Sequence, residues 1–306
     1  MEKTLDILTI GECLTELSSE NYFKDSDCFK LSFGGDVVVS AIAASRLGSK
    51  VGLMSSIGND YFKEIILNGL ANYDIDTSHT KISDEQNGLY LCSHTDKKEL
   101  MMYRKRVAGA CLSPELFDEE YIASAQTVYA TGISQSLSAQ SNELIKKVFE
   151  YAHQNDILTA YDPNYTSSFM TTFDTKEYLE NIIENIDILF LSLKNDVEAL
   201  YGLSSAERII NYFTDYGVKI IVIKSLSEEG YYIYSNGKTE FSEFYDKNQR
   251  IHTINAGDVF NGAFLSAITT GYTPMEAGKL ASKMTGIYVN RSGLIKNLPS
   301  KEEIME

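Results

Sequence analysis

The most informative part of the sequence is residues 252–263, which read His252-Thr253-Ile254-Asn255-Ala256-Gly257-Asp258-Val259-Phe260-Asn261-Gly262-Ala263. Small residues stand here directly before a helix rich in Gly and Ala. The first amides of a helix lack partners within it, and together with the helix dipole they attract an anion. Asn255, Ala256 and Gly257 let those amides reach a phosphate, and Asp258 would stand beside it as a proton acceptor. The plainer alternative is an ordinary helix start with Asn255 as its N-cap.

A second informative stretch lies near the other end of the chain, at residues 33–48, and includes Phe33-Gly34-Gly35-Asp36 followed by an Ala-rich segment that ends at Gly48. Paired glycines before a helix allow a ligand or another segment to approach the backbone closely. Asp36 could bind sugar hydroxyls. The alternative is a tight turn with Asp36 as the helix cap.

Between and beyond these stretches, strand-like and helix-like segments alternate. Strands are predicted at 5–10, 51–57, 127–130, 157–161, 186–191 and 218–223, with a hairpin at 231–234 and 239–244. Helices are predicted at 36–47, 60–71, 138–153, 175–183, 256–270 and 274–289, with two more beginning at Asp196 and Ser204. Such alternation is typical of a doubly wound α/β fold, a mostly parallel sheet with helices on both faces.

Two segments interrupt this alternation. Residues 12–33 contain a small β excursion, and residues 88–106 contain two extended runs around a polar turn at 94–97. The second segment is typical of a hairpin. Together, insertions at about 12–33 and 87–107 predict a small second sheet attached to the α/β core.

Composition excludes several classes of protein. The 306 residues carry a formal net charge of −16 at pH 7, which disfavours binding to nucleic acid or to an anionic membrane. No apolar run is long enough to cross a membrane, and no secretory signal is visible, so a cytoplasmic location is expected. The four cysteines lie far apart and are expected to be free thiols.

Taken together, the stretches at 252–263 and 33–48 resemble the two signatures of the ribokinase-type (phosphofructokinase B) carbohydrate kinase family, in the family's order and separation. Residues 10–17 and 103–114 look like segments of 2-keto-3-deoxygluconate kinases. Residues 161–165, 195–198 and 224–230 resemble three further family motifs, so the resemblance runs through the whole chain.

The resemblance implies one ribokinase-like α/β domain over residues 1–306, with the two insertions forming a β lid that closes over the sugar. It implies transfer of the ATP γ-phosphoryl group to a hydroxyl of a small sugar or sugar acid, such as 2-keto-3-deoxygluconate. ATP, Mg²⁺ and the sugar are therefore the expected ligands. The exposed edge of a β lid makes pairing of two chains through the lid conceivable.

Motif position also implies roles for individual residues. Asp258 would be the general base, and the amides of Asn255, Ala256, Gly257 and Asp258 would hold the developing charge. The residues facing the sugar would be Gly34, Gly35, Asp36, Tyr90, Arg104 and Asp258. Those at the nucleotide would be Asn195, Lys224, Ser225, Ser227, Gly230 and Gly257, with Asn195 and Glu198 supporting Mg²⁺ through water. Arg104 would grip a carboxylate or phosphate.

Four positions depart from the family pattern. His252 replaces an acid, which leaves open whether a monovalent cation binds. Asn255 replaces a glycine, although Asn tolerates the left-handed backbone better than most residues do. Val39 replaces a sugar-binding Asn. Thr166 replaces an Arg that grips the substrate carboxylate in 2-keto-3-deoxygluconate kinases, which counts against that substrate.

Three alternatives therefore remain at this stage. The nearest is a fructokinase-like or other sugar kinase. The second is a catalytically weak carbohydrate-binding or regulatory protein with the kinase fold, which the changes at His252 and Asn255 suggest. A nucleoside kinase is disfavoured, because the lid segments look like those of the sugar-acid branch.

Overall fold

The computed structural model describes residues 3–93, 95, 99–168, 170–245, 252–291 and 294–305. In chain order, the β-strands are β1 Leu5–Ile10, β2 Leu14–Ser19, β3 Lys30–Gly34, β4 Val51–Gly58, β5 Thr80–Ser83, β6 Gly88–Ser93, β7 Leu100–Tyr103, β8 Ala125–Thr131, β9 Leu158–Asp162, β10 Ile188–Ser192, β11 Ile220–Ser225, β12 Gly230–Ser235 and β13 Lys238–Glu243.

The α-helices are α1 Asp36–Arg46, α2 Lys63–Ala71, α3 Glu119–Ala123, α4 Gly132–Gln135, α5 Ala139–Gln154, α6 Thr172–Glu180, α7 Ala199–Tyr201, α8 Ala206–Thr214, α9 Ala256–Thr269, α10 Pro274–Val289 and α11 Lys301–Met305. Short 3₁₀ turns occur at Phe23–Asp25, Ala108–Cys111, Pro114–Leu116, Ile183–Asn185 and Leu294–Asn297, and a π-helix spans Leu193–Glu198. Within the described residues, no helix is both long and apolar enough to cross a membrane.

The main sheet has nine strands in the order β13-β12-β11-β10-β9-β8-β1-β4-β5. All neighbours from β11 to β5 pair in parallel, whereas β12 and β13 add an antiparallel edge. Successive side chains of a strand point to opposite faces. In β10, Ile188 and Phe190 accordingly enter one hydrophobic core, and Leu189 and Leu191 enter the other. The predicted doubly wound sheet with helices on both faces is confirmed.

A second sheet of four strands lies apart from the main one, in the order β3-β2-β6-β7. Strand β2 pairs antiparallel with β3 and parallel with β6, which in turn pairs antiparallel with β7. The two insertions read from the sequence therefore do combine into a small sheet. Residues 94 and 96–98 of the predicted turn lie outside the described residues.

Several predicted boundaries were wrong, for local reasons. The helix predicted at 175–183 spans Thr172–Glu180, because the Thr171 side chain accepts a hydrogen bond from the Asp174 amide and caps the helix earlier. The segment expected to begin a helix at Asp196 is the π-helix. Strand β5 was not predicted, because its four residues, Thr80–Ser83, are short and largely polar.

Helices α1 and α9 pack together at unusually close range, and this contact positions the residues of the 252–263 stretch. A Cβ at Gly262 would collide with the backbone of Ser40, so only glycine permits the approach. The Ser40 hydroxyl donates to the backbone carbonyl of Asp258 at 2.9 Å. The first turn of α9 is thus fixed against the start of α1.

Candidate active site

A cavity of about 480 Å³ opens at the carboxyl edge of the main sheet, beside the small sheet. Ligand sites of open parallel sheets lie in this position. The strand ends contribute Asp162, Ser192 and Lys224, and the start of α9 forms the opposite wall. Nine of the residues proposed from the sequence line the cavity: Gly35, Asp36, Tyr90, Asn195, Lys224, Asn255, Ala256, Gly257 and Asp258.

The start of α9 has the conformation that an anion site needs. Asn255 adopts the left-handed region, with φ 58° and ψ 11°, so the expected turn survives the replacement of glycine. The Ala256 amide donates to the Thr253 carbonyl at 3.3 Å. Gly257 and Asp258 follow it in the first turn of α9 and line the cavity. A Cβ at Gly257 would lie 3.5 Å from Lys224 Nζ, so helix start and ammonium group are neighbours.

Asp258 stands in the first turn of α9 with only 8% of its surface exposed. Its Oδ1 accepts a hydrogen bond from Asn164 Nδ2 at 3.3 Å. Asn164 follows β9 and adopts a left-handed backbone conformation with φ 46°. Asp258 therefore lines the cavity from a position that backbone and side-chain contacts define.

Lys224, near the end of β11, belongs to a buried polar network. Its Nζ donates to Asp162 Oδ2 at 3.0 Å and to Asn261 Oδ1 at 2.9 Å. Asn261, on α9, also donates to Asp162 at 2.6 Å and to the Tyr129 hydroxyl at 3.0 Å. This network connects three strands of the sheet to α9. It fixes a positive charge beside the helix start.

The two ends of the Asn195–Glu198 motif lie in different environments. Asn195 lines the cavity, whereas Glu198 is exposed and does not. The buried acid of the motif is Asp196, which accepts hydrogen bonds from the amides of Ser192 at 2.6 Å and Tyr165 at 3.0 Å. Burial, with the negative charge of Asp162, raises the pKa of Asp196 to about 7.

The cavity wall on the side of the small sheet is also acidic. Asp36 accepts hydrogen bonds from the Thr131 hydroxyl and from the Val37 amide, while burial raises its pKa. Gly35 has φ 127°, a region open to glycine, and a Cβ there would lie 2.5 Å from the Glu12 carbonyl oxygen. The close approach proposed for the glycine pair is therefore present.

Tyr90 reaches the cavity from β6, where its hydroxyl donates a short hydrogen bond to Glu16. A Cβ at Gly34 would collide with that hydroxyl, so Gly34 makes room for Tyr90 and does not itself line the cavity. Burial raises the pKa of Glu16 to about 7. The tyrosine ring is thereby fixed by the strand and by the carboxyl group behind it.

Arg104 forms a nearly buried ion pair with Glu12. Its Nη2 forms an ion pair with Glu12 Oε1 at 2.9 Å, and the two side chains are 9% and 2% exposed. Burial raises the pKa of Glu12 to about 7, against the opposing effect of the Arg104 charge. Glu12 lines the cavity, while Arg104 does not. No role for Glu12 follows from the sequence alone.

The nucleotide-loop residues lie at the edge of the cavity. Ser225 Oγ is 3.3 Å from Ser227 Oγ and accepts from the Glu228 amide at 3.3 Å, which shapes the loop. Ser225, Ser227 and Gly230 do not line the cavity. One part of the cavity wall, called the lobe below, is not indicated by any sequence motif and consists of Leu226, Phe244, Ser282, Thr285, Gly286 and Val289. Only tertiary structure brings these residues together.

The departures from the family pattern have different surroundings. His252 is buried, and its Nε2 donates to the Arg291 carbonyl at 2.9 Å. Val39 is fully buried in the core and does not line the cavity. Thr166 lines the cavity, and its hydroxyl donates to the Asn164 carbonyl at 3.4 Å.

The sequence profile of the pfkB family of carbohydrate kinases matches residues 4–301 of this chain. An ATP-dependent 6-phosphofructokinase from Thermoanaerobacterium thermosaccharolyticum is 28% identical over 309 residues, covering 99% of this chain and 94% of that protein. A 2-dehydro-3-deoxygluconokinase from Thermoproteus tenax is 27% identical over 316 residues, covering 100% and 94%.

Among solved structures, a putative ribokinase II from E. coli, crystallised with ATP and Mg²⁺, superimposes with a TM-score of 0.89 at 24% identity, covering 98% of each chain. At that identity the likeness concerns the fold. The match to the family profile covers nearly the whole chain. The protein therefore belongs to the pfkB family of carbohydrate kinases, and the resemblance read from its sequence is confirmed.

Proposed function

We propose that this kinase transfers the γ-phosphoryl group of ATP to a hydroxyl of a small sugar or sugar acid, of which 2-keto-3-deoxygluconate is the type. Asp258 is the general base, and the first turn of α9, residues 255–258, is the anion hole. The observation that carries the proposal is the position of Asp258. Asp258 lies in the first turn of α9, where backbone amides can bind a phosphate. It lines the same cavity as Asp36, on the side of the small sheet.

The proton step follows from that position. The acceptor hydroxyl must lose its proton as it attacks phosphorus, and a carboxylate within hydrogen-bond reach can take it. Asn164 Nδ2 holds Asp258 through Oδ1, and Asp258 lines the cavity. The Gly257 and Asp258 amides and the nearby Lys224 ammonium group stabilise negative charge on the transferred group.

The nucleotide occupies the lobe between Leu226 and α10. Phe244 and Val289 supply apolar surface there, while Ser282 and Thr285 supply hydroxyl groups. A flat aromatic base suits such a mixed wall. Placed in this lobe, ATP directs its phosphates toward the start of α9, where Gly257 adds no side chain.

The polar groups of the site suit a hydrated Mg²⁺ ion. Within the described residues, no three His, Cys, Asp or Glu side chains form a ready metal cluster. Mg²⁺ keeps several waters and binds through phosphates and one or two carboxylates, so such a cluster is not required. Asp162, Asp196 and Asn195 line the cavity and would hold the ion through water, with Glu198 further out. Bound Mg²⁺ supplies charge neutralisation on the phosphates.

The proposal assigns no monovalent cation to the surroundings of His252. The imidazole donates to the Arg291 carbonyl oxygen, which is a type of group that would otherwise coordinate such an ion. The proposal therefore includes ATP and Mg²⁺ and leaves a monovalent cation out.

Product analysis tests the proposal. The full chain is incubated with ATP, Mg²⁺ and each of a set of sugars and sugar acids, and products are examined by mass spectrometry for the gain of one phosphoryl group. A phosphorylated sugar is the expected result. Sugar binding without any phosphorylated product would favour the binding or regulatory protein, which the changes at His252 and Asn255 suggest.

A cytoplasmic location and pairing of two chains through the small sheet stay predictions. The sheet exposes Leu31, Met101 and Tyr103, at 39%, 46% and 57% of their surfaces, which suits a self-association surface. Sedimentation of the wild type beside Tyr103→Asp would test the pairing. A dimer that the substitution dissociates is expected, and a monomeric wild type would contradict it.

A further inference from the structure

The turn that follows β9 carries Asn164 to the cavity wall. Asn164 lines the cavity, and its Nδ2 donates a hydrogen bond to Asp258 Oδ1 at 3.3 Å. Its backbone has φ 46°, in the left-handed region where glycine is the least strained residue. A glycine would therefore serve the turn by itself. What asparagine adds at the site is a side-chain amide in contact with the carboxyl group of Asp258.

Two buried acidic side chains fix the backbone of this turn. The Asn164 amide donates to Asp162 Oδ1 at 2.9 Å, and the Tyr165 amide donates to Asp196 Oδ1 at 3.0 Å. Asp196 Oδ2 accepts from the Ser192 amide at 2.6 Å. Because Asp162 ends β9 and Ser192 ends β10, the turn is attached to the ends of two neighbouring strands.

Helix α4 packs against the turn from another side. A Cβ at Gly132, the first residue of α4, would collide with the Pro163 carbonyl oxygen, so only glycine permits the approach. Asp258 is held on its own side, because the Ser40 hydroxyl donates to its backbone carbonyl at 2.9 Å. The hydrogen bond between Asn164 and Asp258 therefore joins two backbone segments that are each fixed by other contacts.

This hydrogen bond can affect the reaction without a contact to the substrate. A carboxyl group in the first turn of a helix has several rotamers, and only some of them present an oxygen to an acceptor hydroxyl. An amide bound to one oxygen restricts that choice and favours the ionised form, which is the form that takes a proton. The gain is one of position, since misplacing a reacting group by about 1 Å can cost about 10²-fold in rate.

We infer that Asn164 is a positioning residue of the phosphoryl transfer, which orients the Asp258 carboxylate for proton abstraction from the acceptor hydroxyl. The inference rests on the proposed kinase function and extends it to a residue that does not itself react. The proton moves from the hydroxyl to Asp258 as the hydroxyl oxygen bonds to the γ-phosphorus and the bond from that phosphorus to ADP breaks. Asp162, Asp196 and Gly132 support this role by holding the turn.

Asn164→Gly tests the side-chain amide, because glycine keeps a residue suited to φ 46°. The full-length protein is assayed with ATP, Mg²⁺ and whichever of 2-keto-3-deoxygluconate, fructose and fructose 6-phosphate the wild type phosphorylates fastest. We expect kcat to fall about tenfold, with KM for ATP and for the acceptor changing less than about threefold. A fall in kcat of less than about threefold, or a loss confined to KM, would overturn the inference.

Asn236→Gly is the matched control for this substitution. Asn236 also has a left-handed backbone, with φ 50°, but it is exposed in the turn between β12 and β13. Its replacement should leave kcat at the wild-type value. Urea denaturation midpoints of both glycine variants should lie close to that of the wild type, which excludes unfolding as the cause of a fall in kcat.

A double variant, Asn164→Gly with Asp258→Asn, separates an effect through Asp258 from any other effect. If Asn164 acts by orienting the carboxylate, its removal should change the kcat of Asp258→Asn by less than about threefold, because the carboxylate is already gone. Transfer of radiolabelled phosphate from ATP to the acceptor measures such slow variants. An equal loss of about tenfold in both backgrounds would show that Asn164 acts independently of Asp258, and would overturn the inference.

Failure of this inference and failure of the kinase proposal give different results. A wild type that forms no phosphorylated product with any acceptor would refute the kinase function, and the inference with it. An active wild type whose kcat depends on Asp258 but not on Asn164 would keep the kinase function and refute the inference alone.

Discussion

The most exacting prediction concerns Asp258→Asn. The substitution replaces a proton acceptor by an amide of nearly the same size, at a side chain that is 8% exposed. The amide oxygen can still accept from Asn164 Nδ2, so local structure should be kept. A positioned general base contributes roughly 10²–10⁴-fold to rate, and we expect kcat to fall by that factor. In activation free energy this is about 3–5 kcal/mol.

Steady-state ADP release measures kcat, and calorimetry with a non-hydrolysable ATP analogue measures binding. Dissociation constants for sugar and nucleotide should change by less than about threefold, because the substitution removes a proton acceptor and not a contact surface. Asp215→Asn, at the exposed end of α8, is the control and should behave as wild type. A kcat for Asp258→Asn within tenfold of wild type would show that another group takes the proton.

Three further substitutions test other parts of the account. Asn255→Gly should lower kcat/KM for ATP about tenfold if the Asn255 side chain donates a hydrogen bond to phosphate. An increase would mean that Asn255 obstructs the site. Gly35→Ala should lower the free energy of unfolding by about 3 kcal/mol through strain and collision with the Glu12 carbonyl. Gly271→Ala is the control, because Gly271 also has a positive φ, 90°, but has open space around it, and it should lower the free energy of unfolding by about 1 kcal/mol. Equal losses for the two variants in urea denaturation would contradict the collision at Gly35. Burial raises the pKa of Glu16 to about 7, so the folded state binds a proton there that the unfolded state releases near pH 4.5. That contribution to stability is present below about pH 4.5 and is lost as pH rises to about 7. Glu16→Gln should therefore gain stability relative to wild type as pH rises from 5 to 7.5. Urea titrations at several pH values measure the difference in free energy of unfolding between the two proteins, and a difference that does not change with pH would refute the assigned pKa.

The fold could be predicted from the sequence because its signals are local. Alternating apolar segments such as 186–191 and 218–223 identify buried parallel strands without knowledge of their neighbours. The start of α9 was predicted at the residue where it begins, since small residues before Asp258 mark a helix N-terminus. The π-helix at Leu193–Glu198 was not predicted, because its hydrogen-bonding pattern has no comparable sequence signal.

The charge arrangement of the site could not be predicted in the same way. Arg104 and Glu12 are far apart in sequence, and only the pairing of β2 with β6 and of β6 with β7 brings their segments together. The resemblance implied that Arg104 grips a substrate carboxylate or phosphate. In the structure its Nη2 forms an ion pair with Glu12 Oε1. Asp196 likewise emerged only from its buried bonds to two amides.

The central claim is that this protein transfers phosphoryl groups to a sugar. Its most direct test is a coupled assay of ADP release by the full-length wild type with ATP and Mg²⁺, run with and without each acceptor of a panel of neutral sugars, sugar acids and sugar phosphates. We predict release that depends on the acceptor and saturates with its concentration. ADP release that is absent, or the same with every acceptor and with none, in a folded protein that still binds a sugar would contradict the claim.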